Sequence, residues 1–465
     1  DDSDGCAVPV PCLLFPVSFF SAVCFLLSGS SPMRIAVVVT AFPSVSQTFV
    51  LGQITGLIDR GHDVDIYAAT SEPELGGAEH DVVREYGLVE RAHYQPARAV
   101  GASRMRRAAA AAYVLARYWR RDPASAWRVS KTSPRRLGFD SRLVLLSAGA
   151  PFAGRGRYDA LLCHFGPNGN RMARLRRAGL VHGKIATVFH GYDMSRYLIT
   201  EGSSAYERLF AEGDLFLPVS DFWRTRLIEL GCPEEKIVVH HMGIELARFP
   251  EPGPHDDSGD GTLRLLTVAR LVEKKGVEYA IHAVAALRDA TQRKIEYRIL
   301  GDGPLRGDME RLICELEVED SVQLVGEMDQ GGVRDAMRDA DIFVAPSVVA
   351  EDGDMEGVPV SIMEAMACGL PVVSTRHSGI PELVHDGESG YLVRERDPLA
   401  LARALTRLAG DAALRARMGV AGRHAVQRGY DLDALNDRLI DLLGSMGRRR
   451  AHPRVAARQA SGAVR

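Results

Sequence analysis

Twice along the chain, short continuous apolar runs alternate with helix-length stretches, and no other feature restricts the fold as strongly. The first set is RIAVVV (34–39), DVDIYAA (63–69), ALLCHFG (160–166), KIATVFHG (184–191), LFLPVS (215–220) and KIVVHH (236–241). The second is LRLLTVAR (263–270), EYRILG (296–301), SVQLVG (321–326), DIFVAPS (341–347) and PVVST (371–375). Unbroken Val, Ile and Leu runs suit strands covered on both faces, and parallel strands need a long crossover between them. The expected class is therefore α/β, with two doubly wound domains. A length of 465 residues agrees, being too great for one ordinary core.

The two sets are separated by PEPGPHDDSGDG (250–261), which has no periodicity and little to pack, and reads as a linker or a loop beside one. This divides the chain into an N-terminal domain over 33–250 and a C-terminal domain over 251–425, facing each other across a hinge. Residues 426–446 are expected to form a helix returning to the first domain, and 447–465 a basic disordered tail. Residues 1–32 stand apart. Their run CLLFPVSFFSAVCFLL (12–27) is shorter than a bilayer span, is interrupted by Pro16 and follows three aspartates, Asp1, Asp2 and Asp4, where a secretory signal would be basic. Since Met33 opens the first strand, an upstream extension that is not native is the favoured reading, with a membrane anchor or a signal as alternatives.

Charge excludes little. With 57 basic and 60 acidic residues the net charge of -3 gives no pull toward nucleic acid. Locally, residues 103–136 hold ten Arg or Lys against the single acid Asp122, interleaved with Tyr113, Leu115, Tyr118, Trp119 and Trp127. Such a stretch is either a solvated basic face or a helix lying on an anionic leaflet. Cys163, Cys232, Cys314 and Cys368 are too scattered for a zinc site or a disulfide frame and are expected as small core residues.

The chemistry concentrates in EDGDMEGVPVSIMEAMACGLPVVST (351–375). Pro359 is suited to a helix start, and Gly369 with Pro371 to its end. The helix between them would present unpaired N–H groups around Val360 and Ser361, beside the flexible Gly357, and such an end binds phosphate. Glu356 precedes the helix and Glu364 lies about one and a half turns inside it. Carboxylates repel phosphate, so each is better matched to hydroxyls, one on a ribose and one on the group beyond the far phosphate. A nucleotide sugar meets these demands. Arg270, ending a strand, and Lys275, at a helix start, would supply the positive charge at the carboxyl edge of the sheet, although a surface pair capping the helix gives the same pattern.

Together, RLVEKKG, LGDGPLR (300–306), EGVPVSIMEAMACGLPVV (356–373) and SGIPELVHDGESGYLV (378–393) resemble the family-4 retaining glycosyltransferases of GT-B fold, whose signature is two glutamates separated by seven residues. Adding AFPSVSQTF (41–49), CHFGPNG (163–169), FHGYD (189–193) and AEDGDMEGVP (350–359), the chain is similar to the exopolysaccharide transferases of colanic-acid and amylovoran type. The resemblance implies two Rossmann-like domains with the donor in the cleft. It assigns Arg270 and Lys275 to the donor phosphates, Glu356 to the donor sugar, Glu364 to the ribose, and the amides at Val360 and Ser361 to the phosphate cradle. Gly301 and Asp302 would lie near the base. His190 resembles the histidine that reaches the transferring sugar from the opposite domain; a histidine at a strand end is otherwise more often structural, and His164 is a weaker candidate. The first loop lacks the family's Gly-Gly pair, leaving Ser46, Gln47 and Thr48 as substitute donors.

The implied reaction is a metal-independent, retaining hexosyl transfer from a UDP-sugar, or a GDP-sugar, to a glycan or polyprenyl-linked oligosaccharide, without further cofactor. The implied place is the cytoplasmic side of the membrane, with peripheral contact through 104–136. A nucleotide-sugar epimerase or hydrolase, and a non-catalytic binding protein, are the alternatives. The D-x-D form of Asp352–Asp354, which binds metal in another glycosyltransferase fold, recurs in DVD (63–65) within a strand and carries no metal expectation.

Overall fold

The computed structural model describes residues 31–43, 48–71, 81–96, 112–113, 116, 118–124, 127, 139–249 and 261–448. Strands β1 (Arg34–Ala41), β2 (Asp63–Thr70), β3 (Ala92–Tyr94), β4 (Ala160–His164), β5 (Lys184–Phe189) and β6 (Leu215–Pro218) form one parallel sheet in the order β3-β2-β1-β4-β5-β6. Strands β7 (Leu263–Val268), β8 (Ile295–Leu300), β9 (Val322–Gly326), β10 (Ile342–Ala345), β11 (Val372–Thr375) and β12 (Gly390–Val393) form a second in the order β12-β11-β10-β7-β8-β9. Both sheets follow the same winding rule. In each, the chain reverses direction between its first and fourth strands, β1 with β4 and β7 with β10, and ligands of such sheets bind at the carboxyl end of that switch point.

Register across the switch points pairs Val37 with Leu162 and Leu266 with Phe343, all buried, so both sheets are anchored at their centres. Two strands escaped the sequence pattern. β3 is only three residues of AHY, half-buried throughout, and β12 is four residues following the polar turn 385–389. Conversely, 236–241 is not a regular strand. It touches the edge of β6 through Val238 N–H to Phe216 O and His240 N–H to Pro218 O, and then leaves the sheet.

The last helix, Leu432–Arg448, lies on helix Thr48–Asp59 of the first domain. Gly52 and Gly56 make that approach possible, since a Cβ on Gly56 would fall 1.9 Å from Asn436 Nδ2. Arg60 then pairs with Asp433 and Asp437. One apolar cluster runs from the first domain through Val358, Ile362 and Leu439, so the cleft closes at its base; the outer face of the second sheet has its own cluster.

Of the four cysteines expected in the core, Cys163, Cys232 and Cys368 are buried, but Cys314 is exposed, on the solvent side of helix Arg306–Glu315. The 12–27 run, the 250–260 part of the linker, Ser46, Gln47 and the tail from 449 lie outside the described residues, as does most of the basic stretch. Within that stretch Tyr113, Trp119 and Trp127 are exposed and Tyr118 is buried. Among the described residues, no helix is long and apolar enough to cross a membrane.

Candidate active site

The carboxyl ends of β7 and β10 carry the charged lip of the cleft. After β7, residues Glu273–Lys275 make a single tight turn, and Gly276 follows at φ 61° before helix Val277–Ala290. Only glycine fits there, because a Cβ would lie 2.0 Å from Pro346 O at the exit of β10. The turn therefore aims its lysines at the loop after β10. Lys275 Nζ stands 3.2 Å from Glu356 Oε1, while Lys274 Nζ stands 3.0 Å from Asp354 Oδ2 and 3.7 Å from Glu356 Oε1. Burial alone would raise the Glu356 carboxyl, but the ammonium groups of Lys275 and Lys274 hold it below the ordinary range. Lys274 is absent from the sequence-derived set; its only signal is adjacency to Lys275.

Helix Val360–Ala367 begins four residues after Glu356, with Pro359 just before it extended at φ -64°, ψ 122° and no side chain capping it. Its buried side is Ile362, Met363, Ala365, Met366 and Ala367, and Gly369 at φ 77° ends it. Apolar packing on one side thus fixes the helix while its first amides, at Val360 and Ser361, point out of the end. Glu364 projects from its middle, partly buried, with a carboxyl pushed up to about 7 by burial against the opposing effect of Arg334. Arg270 is exposed on the loop after β7. Gly301, at φ 125°, packs on Ala269 O, where a Cβ would come within 2.0 Å, and Asp302 turns to Gly303 N–H and Arg306. Both carboxylates of the D-x-D segment are paired, Asp352 with Arg196 and Asp354 with Lys274.

The facing lip belongs to β4 and β5. His190 follows β5 and is buried; its Nε2 lies 3.2 Å from His164 Nδ1 and its Nδ1 3.2 Å from Met242 Sδ, with the rings of Phe49 and Phe165 at 4.8 and 4.5 Å. Burial, and then His164, drives the His190 pKa well below its ordinary value, and burial takes His164 down to about 3. Both rings are neutral. The buried Asp193 accepts from the N–H groups of Gly166, His190 and Gly191, tying together the loops that carry the two histidines. Asp193 was visible only as the end of FHGYD.

The lips meet at two glycines. A Cβ on Gly357 would lie 2.0 Å from His190 O, and one on Gly191 2.7 Å from Gly357 N. Around this contact Ser195 Oγ accepts from Met355 N–H at 3.2 Å, and Glu382 accepts from Asp221 and Phe222 N–H at the start of helix Asp221–Glu229. The structure thus brings His190, Gly357, Glu356 and Lys275 to one place; Glu364 stands further along its helix, and Gly301 with Asp302 on the β8 side.

The family profile "Glycosyltransferase Family 4" matches residues 46–248 and "Glycosyl transferases group 1" matches 256–425. WcaL of Escherichia coli K12, a glycosyltransferase named for colanic acid biosynthesis, is 39% identical over 425 residues, covering 89% of this chain and 100% of WcaL. The amylovoran biosynthesis glycosyltransferase AmsK of Erwinia amylovora is 38% identical over 417 residues, covering 88% and 99%. The chain belongs to this glycosyltransferase family. Among solved structures, Anabaena Alr3699/HepE in complex with UDP and glucose superposes with a TM-score of 0.63 at 17% identity, covering 89% of this chain and 100% of that one, a likeness of fold. The glycosyltransferase fold here is GT-B: two Rossmann-like units with the charged and neutral lips facing across their cleft.

Proposed function

We propose that this glycosyltransferase moves a hexose, with retention of anomeric configuration, from a nucleoside diphosphate sugar to a hydroxyl of a glycan or polyprenyl-linked oligosaccharide in exopolysaccharide biosynthesis. One observation carries the reading: the Lys275–Glu356 pair stands before the uncapped helix Val360–Ala367 and against the backbone of His190. A diphosphate at that helix end would receive the amides of Val360 and Ser361, with Lys275 and Arg270 as counter-charges. Glu356 would then meet sugar hydroxyls, His190 would offer a neutral ring nitrogen to the same sugar on giving up a present partner, and Glu364 would accept from the ribose. UDP is the favoured nucleotide and GDP the alternative.

In the step itself the bond from the anomeric carbon to the phosphate oxygen breaks and a bond to the acceptor oxygen forms on the same face. The acceptor proton passes to a leaving-phosphate oxygen. Positive charge and helix amides stabilise the departing diphosphate, so these residues supply what a metal would otherwise provide. Closure of the lips excludes water and limits donor hydrolysis. The colanic acid and amylovoran roles in the relatives' names support the destination. A lipid-borne acceptor would be met at the cytoplasmic leaflet through the basic stretch, whose Tyr113, Trp119 and Trp127 are exposed.

The test begins with thermal-shift screening against UDP- and GDP-sugars. The best donor is then incubated with lipid-linked acceptors in vesicles with and without anionic lipid, and products are weighed by mass spectrometry. A glycan one hexose heavier is expected, formed faster on anionic vesicles; free sugar alone would overturn the transfer reading, and indifference to lipid charge the membrane contact.

A further inference from the structure

Glu356 is held at its backbone N–H, its carbonyl and one carboxylate oxygen. Its carboxylate meets the two lysines, its N–H donates to His377 Nε2 at 3.1 Å, and its carbonyl accepts from Ser378 Oγ at 2.7 Å. The last two contacts come from the turn after β11, where Ser378 takes φ 47°. Lysine side chains are flexible and can neutralise a carboxylate without fixing its direction. The direction is set by the peptide, and the peptide is set by His377.

His377 is 0% exposed, so the hydrogen bonds of its ring are a closed account. A backbone N–H can only donate; Nε2, facing that of Glu356, is therefore the unprotonated nitrogen. The ring proton sits on Nδ1 and is donated to Glu395 Oε1 at 2.7 Å. Glu395 is itself oriented, because its other oxygen accepts from Val349 N–H at 2.9 Å. The reverse tautomer would set N–H against N–H at Glu356 and leave Glu395 facing a lone pair.

We propose that His377 is a positioning residue for the transfer, fixed in its Nδ1–H tautomer by Glu395, and that it aims Glu356 at the donor sugar through one backbone hydrogen bond. The proposal rests on the reading of Glu356 as the donor-sugar contact. UDP alone lacks that sugar and is indifferent to the aim of Glu356; a UDP-sugar is not.

Asparagine and glutamine imitate opposite halves of the imidazole, which separates the two bonds. Gln at 377 places a carboxamide oxygen near the Nε2 position and still accepts from Glu356, whereas Asn keeps a donor toward Glu395 and offers Glu356 nothing. Using the UDP-sugar that most stabilises the wild-type chain, H377N is expected to lower kcat about 10²-fold, the usual cost of a small misplacement. H377Q stays within about fivefold, and the Kd for UDP alone is unchanged in both. Added to E356Q, H377N should cost nothing more, since both act through one carboxylate. E395A should lower kcat about tenfold in the wild-type chain and leave H377Q unaffected, a readout that does not require H377N to fold.

Equal losses in H377N and H377Q, a parallel loss of UDP affinity, or equal E395A effects in both backgrounds would overturn the proposal. Full transfer by H377N beside an inactive E356Q overturns it alone. Full transfer by E356Q overturns the reading of Glu356 and the proposal with it.

Discussion

On the lip built by β4 and β5, His164 and His190 are buried together beneath Phe49 and Phe165 and carry no charge. On the lip built by β7 and β10, the switch-point pair of the second sheet, Lys274 pairs with Asp354 and both Lys274 and Lys275 pair with Glu356 at 3.0–3.7 Å. Topology fixes where a ligand of such sheets can sit, and the side chains give each lip its own chemistry. Neutral ring nitrogens match hydroxyls, which are already uncharged; ammonium groups and helix amides match phosphate. Pairing within the charged lip also matters. Two lysines against two carboxylates meet the other domain with no net charge of their own, so closing the cleft strands none of them.

The strongest way to break this contrast is K275A. If diphosphate charge is met by the charged lip, transfer should fall about 10²–10³-fold, the usual loss for one donor to a developing charge. Steady-state kinetics checks it, and a K275A enzyme at the wild-type rate would remove the division of labour. The double variant K275A/E356Q should regain the thermal stability lost by K275A, because no buried carboxylate is then left with only the more distant Lys274, while remaining inactive.

Next in size is G357A, which probes the seam between the lips. The added methyl meets His190 O at 2.0 Å and must push the domains apart there. A kcat loss of about 10²-fold is expected, and on the proposed division, with UDP held by the charged lip, UDP affinity is expected to stay unchanged. A matching loss in UDP affinity would show that the two lips are not separable.

The smallest effect sharpens the picture inside the charged lip. Glu364, at about 7 against an ordinary 4.5, is raised by burial. A raised carboxyl favours the folded protein below the unfolded value, and that advantage disappears as pH rises through about 7. The Tm should therefore fall as pH increases across this window, and E364Q should flatten the slope. A slope unchanged in E364Q would assign it to another group.

Much of the architecture was legible because parallel strands buried on both faces leave continuous apolar runs, as in RIAVVV and LRLLTV. β3 and β12 were not, since three and four residues give no period to read. The run at 236–241 looked like a strand because it is apolar, yet it only touches the sheet edge as the chain departs. Cys314 followed composition in the reading and helix phase in the fold. In the candidate site, the local features were readable: the proline start and glycine stop of helix Val360–Ala367, and the glycine after Lys275. What stayed hidden was everything made by distant pairs, such as Lys274 with Asp354, Asp193 with the amide of Gly166, and His377 between Glu356 and Glu395.

By itself, then, the sequence determined two doubly wound units and a phosphate-suited helix end, because strand burial and helix termination are properties of neighbours along the chain. Tertiary structure alone decided that one lip would be neutral and the other charged, that Gly191 and Gly357 would touch, and which nitrogen of His377 would hold the proton. Each depends on groups brought together from separate loops, where burial removes water and leaves every donor and acceptor only the partner the fold supplies.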